Sequence, residues 1–219
     1  MIDHTLLRAD ATSSDIERLC GEAIEHSFCS VCVNPCMVEL ASSLLEGSGV
    51  LVCSVVGFPL GAGLCKAVEA SMAVRLGAGE IDMVASISGI LEGRTDEVRR
   101  EVEDVVGASG GKPVKLIIET CLLSREQKLL GCDVAMEAGA AFVKTSTGFG
   151  AGGATVEDVR LLRERCAGRI GVKASGGIRT LDDALAMVEA GATRLGCSGS
   201  VQIMREARER DGRIDVAGR

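Results

Sequence analysis

FVKTSTG (Phe142–Gly148) and GVKASGG (Gly171–Gly177) share the frame Val-Lys-x-Ser-x-Gly, which sets Lys144 and Lys173 in matching places 29 residues apart. A parallel strand, the helix that returns over it and the next strand need about 30 residues. The echo therefore reads as one βαβ step, with each lysine at the end of a strand.

Working outward, short apolar and β-branched runs alternate with helical patterns along the whole chain, the mark of a parallel sheet covered by helices. Eight such runs occur, at Ile2 to Leu6, Ser30 to Asn34, Leu51 to Gly57, Glu80 to Ala85, Val114 to Glu119, Ala141 to Thr145, Ile170 to Ser175 and Thr193 to Cys197. Eight is the number that closes a (β/α)₈ TIM barrel, and 219 residues suit one such domain. Ser14-Asp15-Ile16-Glu17 reads as a capping box at the head of the first helix, while Thr155 begins the helix TVEDVRLLRERC and Thr180 caps TLDDALAMVEAG. Gly77, Gly139 and Gly191 follow helical runs, as helix-terminating glycines do. REARERDGRIDVAGR continues a last helix, with about ten final residues expected to fray.

Composition narrows the function. With 47% hydrophobic and only 2% aromatic residues, the core must be filled by aliphatic side chains and cysteine. A net charge of −7, a pI near 5.0 and no basic run argue against nucleic acid. No apolar run approaches a membrane span, and MIDHTLLRAD lacks the pattern of a signal peptide, so a cytoplasmic location is expected. Ten cysteines in such a chain read as reduced and buried. The metal candidate is FCSVCVNPC, with Cys29, Cys32 and Cys36 near His26. Alternation along a strand sends Cys29 and Cys32 to opposite faces, so no metal is expected there. No other cofactor is expected.

Charge inside strand text is costly unless it is paired or functional. Asp82 in EIDMVAS, Lys144 and Lys173 fall on the fourth, sixth and seventh runs, where barrel active sites are built. Inward lysines on adjacent strands about 4.8 Å apart repel by about 3 kcal/mol at an effective dielectric near 20, enough to give one amine a neutral fraction near pH 7. A neutral amine attacks carbonyls, so the pattern predicts Schiff-base chemistry with a carboxylate to move protons. A buried ion-pair network is the plainer alternative. Lys115, on the face of Ile117 and Glu119, could join or neutralise the Asp82 network. Glycine loops after the sixth, seventh and eighth runs, Thr147 to Gly150, Gly176 to Arg179 and Gly196 to Ser200, suit a phosphate group. His4 and His26 read as packing or surface residues rather than bases.

The stretches IDHTLL, SVCVNP, GFPLGA, EIDMV, VKLIIETCLL, GAAFVKTSTGF and GVKASGGIRTLDDALAMVEAGATRLGCS resemble the deoxyribose-phosphate aldolases, metal-free class I aldolases, from Asp3 to about Ser200. The resemblance implies reversible cleavage of 2-deoxy-D-ribose 5-phosphate into D-glyceraldehyde 3-phosphate and acetaldehyde. It implies Lys144 as the Schiff-base lysine, Lys173 as the second lysine that tunes it and Asp82 as the proton relay. It also implies phosphate contacts at Gly148, Gly176, Gly177, Gly196 and Ser198, a pocket lined by Asp3, Thr5 and Cys32, and a homodimer or other homo-oligomer. Against that resemblance, the loop after GFPLGA reads as about two residues shorter than in many relatives, and the barrel is expected to start without the short leader usual in the family. A phosphosugar isomerase, a pyridoxal-phosphate barrel and a non-catalytic phosphosugar sensor are the rival readings. Cys32 near the pocket suggests sensitivity to aldehydes.

Overall fold

The computed structural model describes residues 1–217, with side chains through residue 212. Eight strands close into a barrel in chain order: β1 (Ile2–Leu6), β2 (Ser30–Val33), β3 (Leu51–Val56), β4 (Glu80–Val84), β5 (Val114–Ile117), β6 (Phe142–Lys144), β7 (Gly171–Ser175) and β8 (Arg194–Cys197). Every neighbouring pair is parallel, including β8 with β1. The helices are α1 (Ser13–Glu25), α2 (Val38–Leu44), α3 (Lys66–Arg75), α4 (Ile87–Leu91), α5 (Thr95–Ala108), α6 (Arg125–Glu137), α7 (Val156–Cys166), α8 (Leu181–Glu189) and α9 (Ser200–Ala217). The expected (β/α)₈ barrel is thus present, with the β4–β5 connection carrying two helices. No helix among the described residues is long and apolar enough to cross a membrane.

Strand periodicity divides the buried residues into two layers. Val31, Val52, Ile81, Met83, Leu116, Val143, Val172 and Leu195 join the helices in one large apolar core. The alternate positions point inward, where barrels usually stack branched aliphatic side chains. Here Asp3, Glu80, Asp82, Lys115, Lys144 and Lys173 are buried in the interior instead.

Local signals explain most boundaries. Thr180 caps α8 as expected, and Thr155, expected to begin α7, stands one residue before it as its cap; each accepts a hydrogen bond from the amide three residues on. The capping box of α1 lies two residues earlier than the sequence suggested. Thr12 has extended backbone, its Oγ1 accepts from the Asp15 amide, and the Asp15 carboxylate accepts from the Thr12 amide. Ser14 is already helical, so it cannot cap. Strand β5 ends before Glu119, because Glu119 adopts φ +52° and turns the chain into a short 3₁₀ segment, Thr120–Leu122. Gly191 takes φ +109° with Arg163 packed against it, leaving neither the conformation nor the space for a Cβ. The backbone of α9 is helical to Ala217. The fraying expected at the C-terminus otherwise concerns side chains and residues outside those described.

Candidate active site

Register brings the inward charges together. Asp82 pairs with Lys115 across β4 and β5, and Lys144 with Lys173 across β6 and β7. Asp82 is the hub. Its Oδ2 accepts from Lys144 Nζ and from Lys173 Nζ, both at 2.7 Å. Its Oδ1 accepts from Lys115 Nζ at 2.9 Å and from the Cys53 thiol at 3.1 Å. Below this level Asp3 accepts from Lys173 on one oxygen and from Arg194 Nη1 at 2.6 Å on the other. Glu80 accepts from Arg194 through both oxygens and lies 2.7 Å from Lys115 Nζ.

This arrangement revises the simple repulsion expected of two lysines. Burial would raise the Asp82 carboxyl, but Lys115, Lys144 and Lys173 pull harder and hold it well below the usual carboxylate range. Burial likewise raises Asp3, yet Lys173 and Lys115 bring it down to about 2. Burial disfavours the Lys173 ammonium, and Asp3 and Asp82 outweigh it, so Lys173 is held as a cation more firmly than a free lysine. Lys115 shifts the same way, with Asp82 the largest force against burial. The plainer ion-pair reading therefore describes the lower part of the cluster. Lys144 differs: it has one carboxylate contact, to an oxygen it shares with Lys173, and it is the lysine whose side chain reaches a cavity.

That cavity, of about 380 Å³, opens at the C-terminal end of the strands. Lys144 lies at its floor. Its sides are Thr5, Thr147, Gly148, Phe149 and the loops Ser175–Arg179 and Gly196–Ser198. The glycine conformations there are specific: Gly148, Gly176 and Gly177 take φ of +86°, +86° and +81°. A Cβ on Gly153 would lie 2.3 Å from the Gly176 carbonyl oxygen, so the β6 and β7 loops pack backbone to backbone. A barrel that ends an amine-bearing strand under glycine loops is suited to a carbonyl compound carrying an anionic group.

The chain matches the model of the DeoC/LacD family aldolases over residues 1–202. It belongs to that family. It is 56% identical over 211 residues to the deoxyribose-phosphate aldolase of Thermoanaerobacter sp. (strain X514), covering 94% of this chain and 95% of that one. Identity to the enzyme of that name from Carboxydothermus hydrogenoformans is 57%, over 94% and 92% of the two chains. Among solved structures, the deoxyribose phosphate aldolase of Aeropyrum pernix, which is tetrameric, superposes with a TM-score of 0.88 at 37% identity, covering 94% of this chain and 89% of that one.

Within this family member, the residues singled out from sequence fall into three groups. Asp82, Lys144 and Lys173 meet at one carboxylate oxygen. Thr5, Gly148, Gly176, Gly177, Gly196 and Ser198 line the cavity. Asp3 and Cys32 do not: both are fully buried beneath it, Asp3 on Lys173 and Arg194, Cys32 with its sulfur 4.0 Å from Asp82. Alternation put them on the inner face, but their height along the barrel axis places them below the floor. Cys32, Cys53 and Asp82 do converge, within 4.8 Å of one another. The ammonium groups of Lys115, Lys144 and Lys173 already occupy that carboxylate, and their charge opposes a cation there. Cys29 and Cys36 lie elsewhere, Cys36 exposed. His4 packs outside the barrel on Phe28, with its Nε2 2.8 Å from Glu22, and His26 caps α1.

Sequence reading passed over Glu80 and Arg194, because each stands at the first position of its strand, where a charge looks like a loop residue. It also passed over Arg8, which lines the cavity together with Arg179 of the expected phosphate loop; both bring positive charge to the glycine loops.

Proposed function

We propose that the protein reversibly cleaves 2-deoxy-D-ribose 5-phosphate into D-glyceraldehyde 3-phosphate and acetaldehyde through a Schiff base on Lys144. The observation that carries this is the position of Lys144: it is the cluster amine at the cavity floor, and its single carboxylate contact is shared with a lysine held as a cation. Three carboxylates, Asp3, Glu80 and Asp82, face four basic groups, Lys115, Lys144, Lys173 and Arg194. Schiff-base formation uses the unprotonated amine, and with Lys144 neutral the remaining cluster is balanced, three cations against three carboxylates.

The neutral amine adds to C1 of the open-chain sugar, and loss of water gives the iminium. A base takes the proton of the C3 hydroxyl, the C2–C3 pair flows into the iminium, and C3 becomes the carbonyl carbon of glyceraldehyde 3-phosphate. Protonation of the remaining enamine at C2 and hydrolysis release acetaldehyde and restore Lys144. Asp82 is the relay for these protons, acting with water, since the chain contains no tyrosine to supply a phenol. Lys173 positions Asp82 and keeps positive charge beside Lys144. The phosphate lies against Gly148, Gly176, Gly177, Gly196 and Ser198, with Arg179 at the same wall, fixing C1 over the amine. No metal or cofactor enters this scheme. A homo-oligomeric state is supported by the tetrameric Aeropyrum relative.

Borohydride reduction in the presence of acetaldehyde, followed by peptide mass analysis, tests the assignment. An ethyl group on Lys144, lost together with turnover in Lys144→Ala while the fold persists, is the expected result. An adduct on Lys173, or substantial turnover in Lys144→Ala, would reject it.

A further inference from the structure

Two of the four phenylalanines in this aromatic-poor chain meet over the barrel mouth. Phe58 follows β3 and Phe149 follows β6, yet their rings touch edge to face, 5.2 Å between centroids at 87°. Phe149 lines the cavity above Lys144. Phe58 lines a second one, of about 420 Å³, whose other walls include Asn34, Pro35, Val55, Leu60 and Glu69. The ring pair is the boundary between the two. Its foot is anchored, because Phe58 packs on Leu7, Cys32, Cys53 and Val55, and both cysteines touch Asp82.

The other half is held from beneath by a buried carboxylate with no part in the chemistry above. Glu119 accepts from the Thr147 amide at 3.2 Å and from the Thr147 hydroxyl, and Thr147 Oγ1 in turn accepts from the Phe149 amide at 3.1 Å. Glu119 does this from φ +52°, a conformation that a residue with a Cβ adopts only at a cost, so the surrounding structure enforces it. Phe149 is itself 55% exposed, and its ring rests edge to face on Phe58.

We propose that Phe58 and Phe149 form a wall that sets the size of the aldehyde able to react as donor on Lys144, and that Glu119 is a positioning residue acting through Thr147. The proposal rests on the Schiff-base reading. In the synthetic direction the donor becomes an enamine on Lys144, whose terminal carbon bonds to the carbonyl carbon of the acceptor. The enamine becomes an iminium, the acceptor oxygen takes a proton, and water releases the product. An acceptor with its phosphate on the glycine loops fills the first cavity. Acetaldehyde gives an enamine carbon bearing only hydrogen. Propanal adds a methyl group beside the forming bond, and with the acceptor in place the further room at the mouth is the second cavity, behind the two rings.

The test uses the full chain with glyceraldehyde 3-phosphate as acceptor and acetaldehyde or propanal as donor, with products quantified by mass. In Phe149→Ala and in Phe58→Leu the propanal-to-acetaldehyde rate ratio is expected to rise roughly tenfold or more, the discrimination that one methylene commonly carries. Glu119→Ala should raise the ratio similarly and Glu119→Gln, which keeps an acceptor oxygen for Thr147, should restore it. An unchanged ratio in both phenylalanine variants, or equal loss with both donors, overturns the wall. Equal ratios in Glu119→Ala and wild type overturn the positioning role. Borohydride trapping of acetaldehyde on Lys144 of the wild type is run alongside: its absence defeats the Schiff-base reading itself, whereas its presence with an unchanged ratio defeats the wall alone.

Discussion

Replacing Asp82 by Asn keeps the shape of the hub and removes its charge, and the contacts of Asp82 set the size of the effect. Asp82 is fully buried and accepts from three lysines through two oxygens. An amide offers one acceptor oxygen and turns an NH₂ group toward an ammonium, leaving four basic groups against Asp3 and Glu80 alone. Breaking a buried pair by removing one partner costs about 3–5 kcal/mol. For a chain of this length that corresponds to a fall in Tm of roughly 10 °C. The pH dependence gives the sharper check. In the wild type Lys115 and Lys173 are raised above their unfolded values, so their contribution is fully present below about pH 10 and is flat from pH 6 to 9. In Asp82→Asn the crowded ammonium groups are relieved by releasing a proton, so the unfolded state binds more protons than the folded one and stability rises with pH. Urea unfolding at pH 6, 7.5 and 9 should show a deficit that is largest at pH 6 and shrinks at pH 9, with turnover reduced roughly 10²–10⁴-fold. A variant within 1 kcal/mol of wild type at pH 6, or a deficit equal at all three pH values, would refute the hub.

Asp3, with its carboxyl brought down to about 2, contributes about 2 kcal/mol above about pH 4 that is lost as pH falls toward 2. The stability gap between wild type and Asp3→Asn in urea should therefore narrow across that window. Gly153→Ala puts a methyl group 2.3 Å from the Gly176 carbonyl oxygen and displaces the proposed phosphate turn, so KM for the phosphorylated sugar should rise about tenfold to a hundredfold while activity on unphosphorylated deoxyribose changes little. Thr155→Ala removes the acceptor of the Asp158 amide at the head of α7 and should cost about 1 kcal/mol, read as a Tm lower by about 2–4 °C.

Sequence by itself determined the barrel and the identity of its interior lysines, because both are local. A strand alternates with period two, a helix ends at a glycine, and a lysine between apolar neighbours must either be paired or react. Lys144, Lys173 and Asp82 were legible on those terms. Tertiary structure decided what each charge touches. Asp82 finds Lys144 62 residues away and Lys173 91 away; Asp3 meets Lys173 across 170 residues and Arg194 across 191. Alternation says which side chains point inward, whereas the stagger of eight strands around a closed ring sets their height along the axis. That height sinks Asp3 and Cys32 below the cavity, sets acids between lysines expected simply to repel, and brings Phe149 over to Phe58.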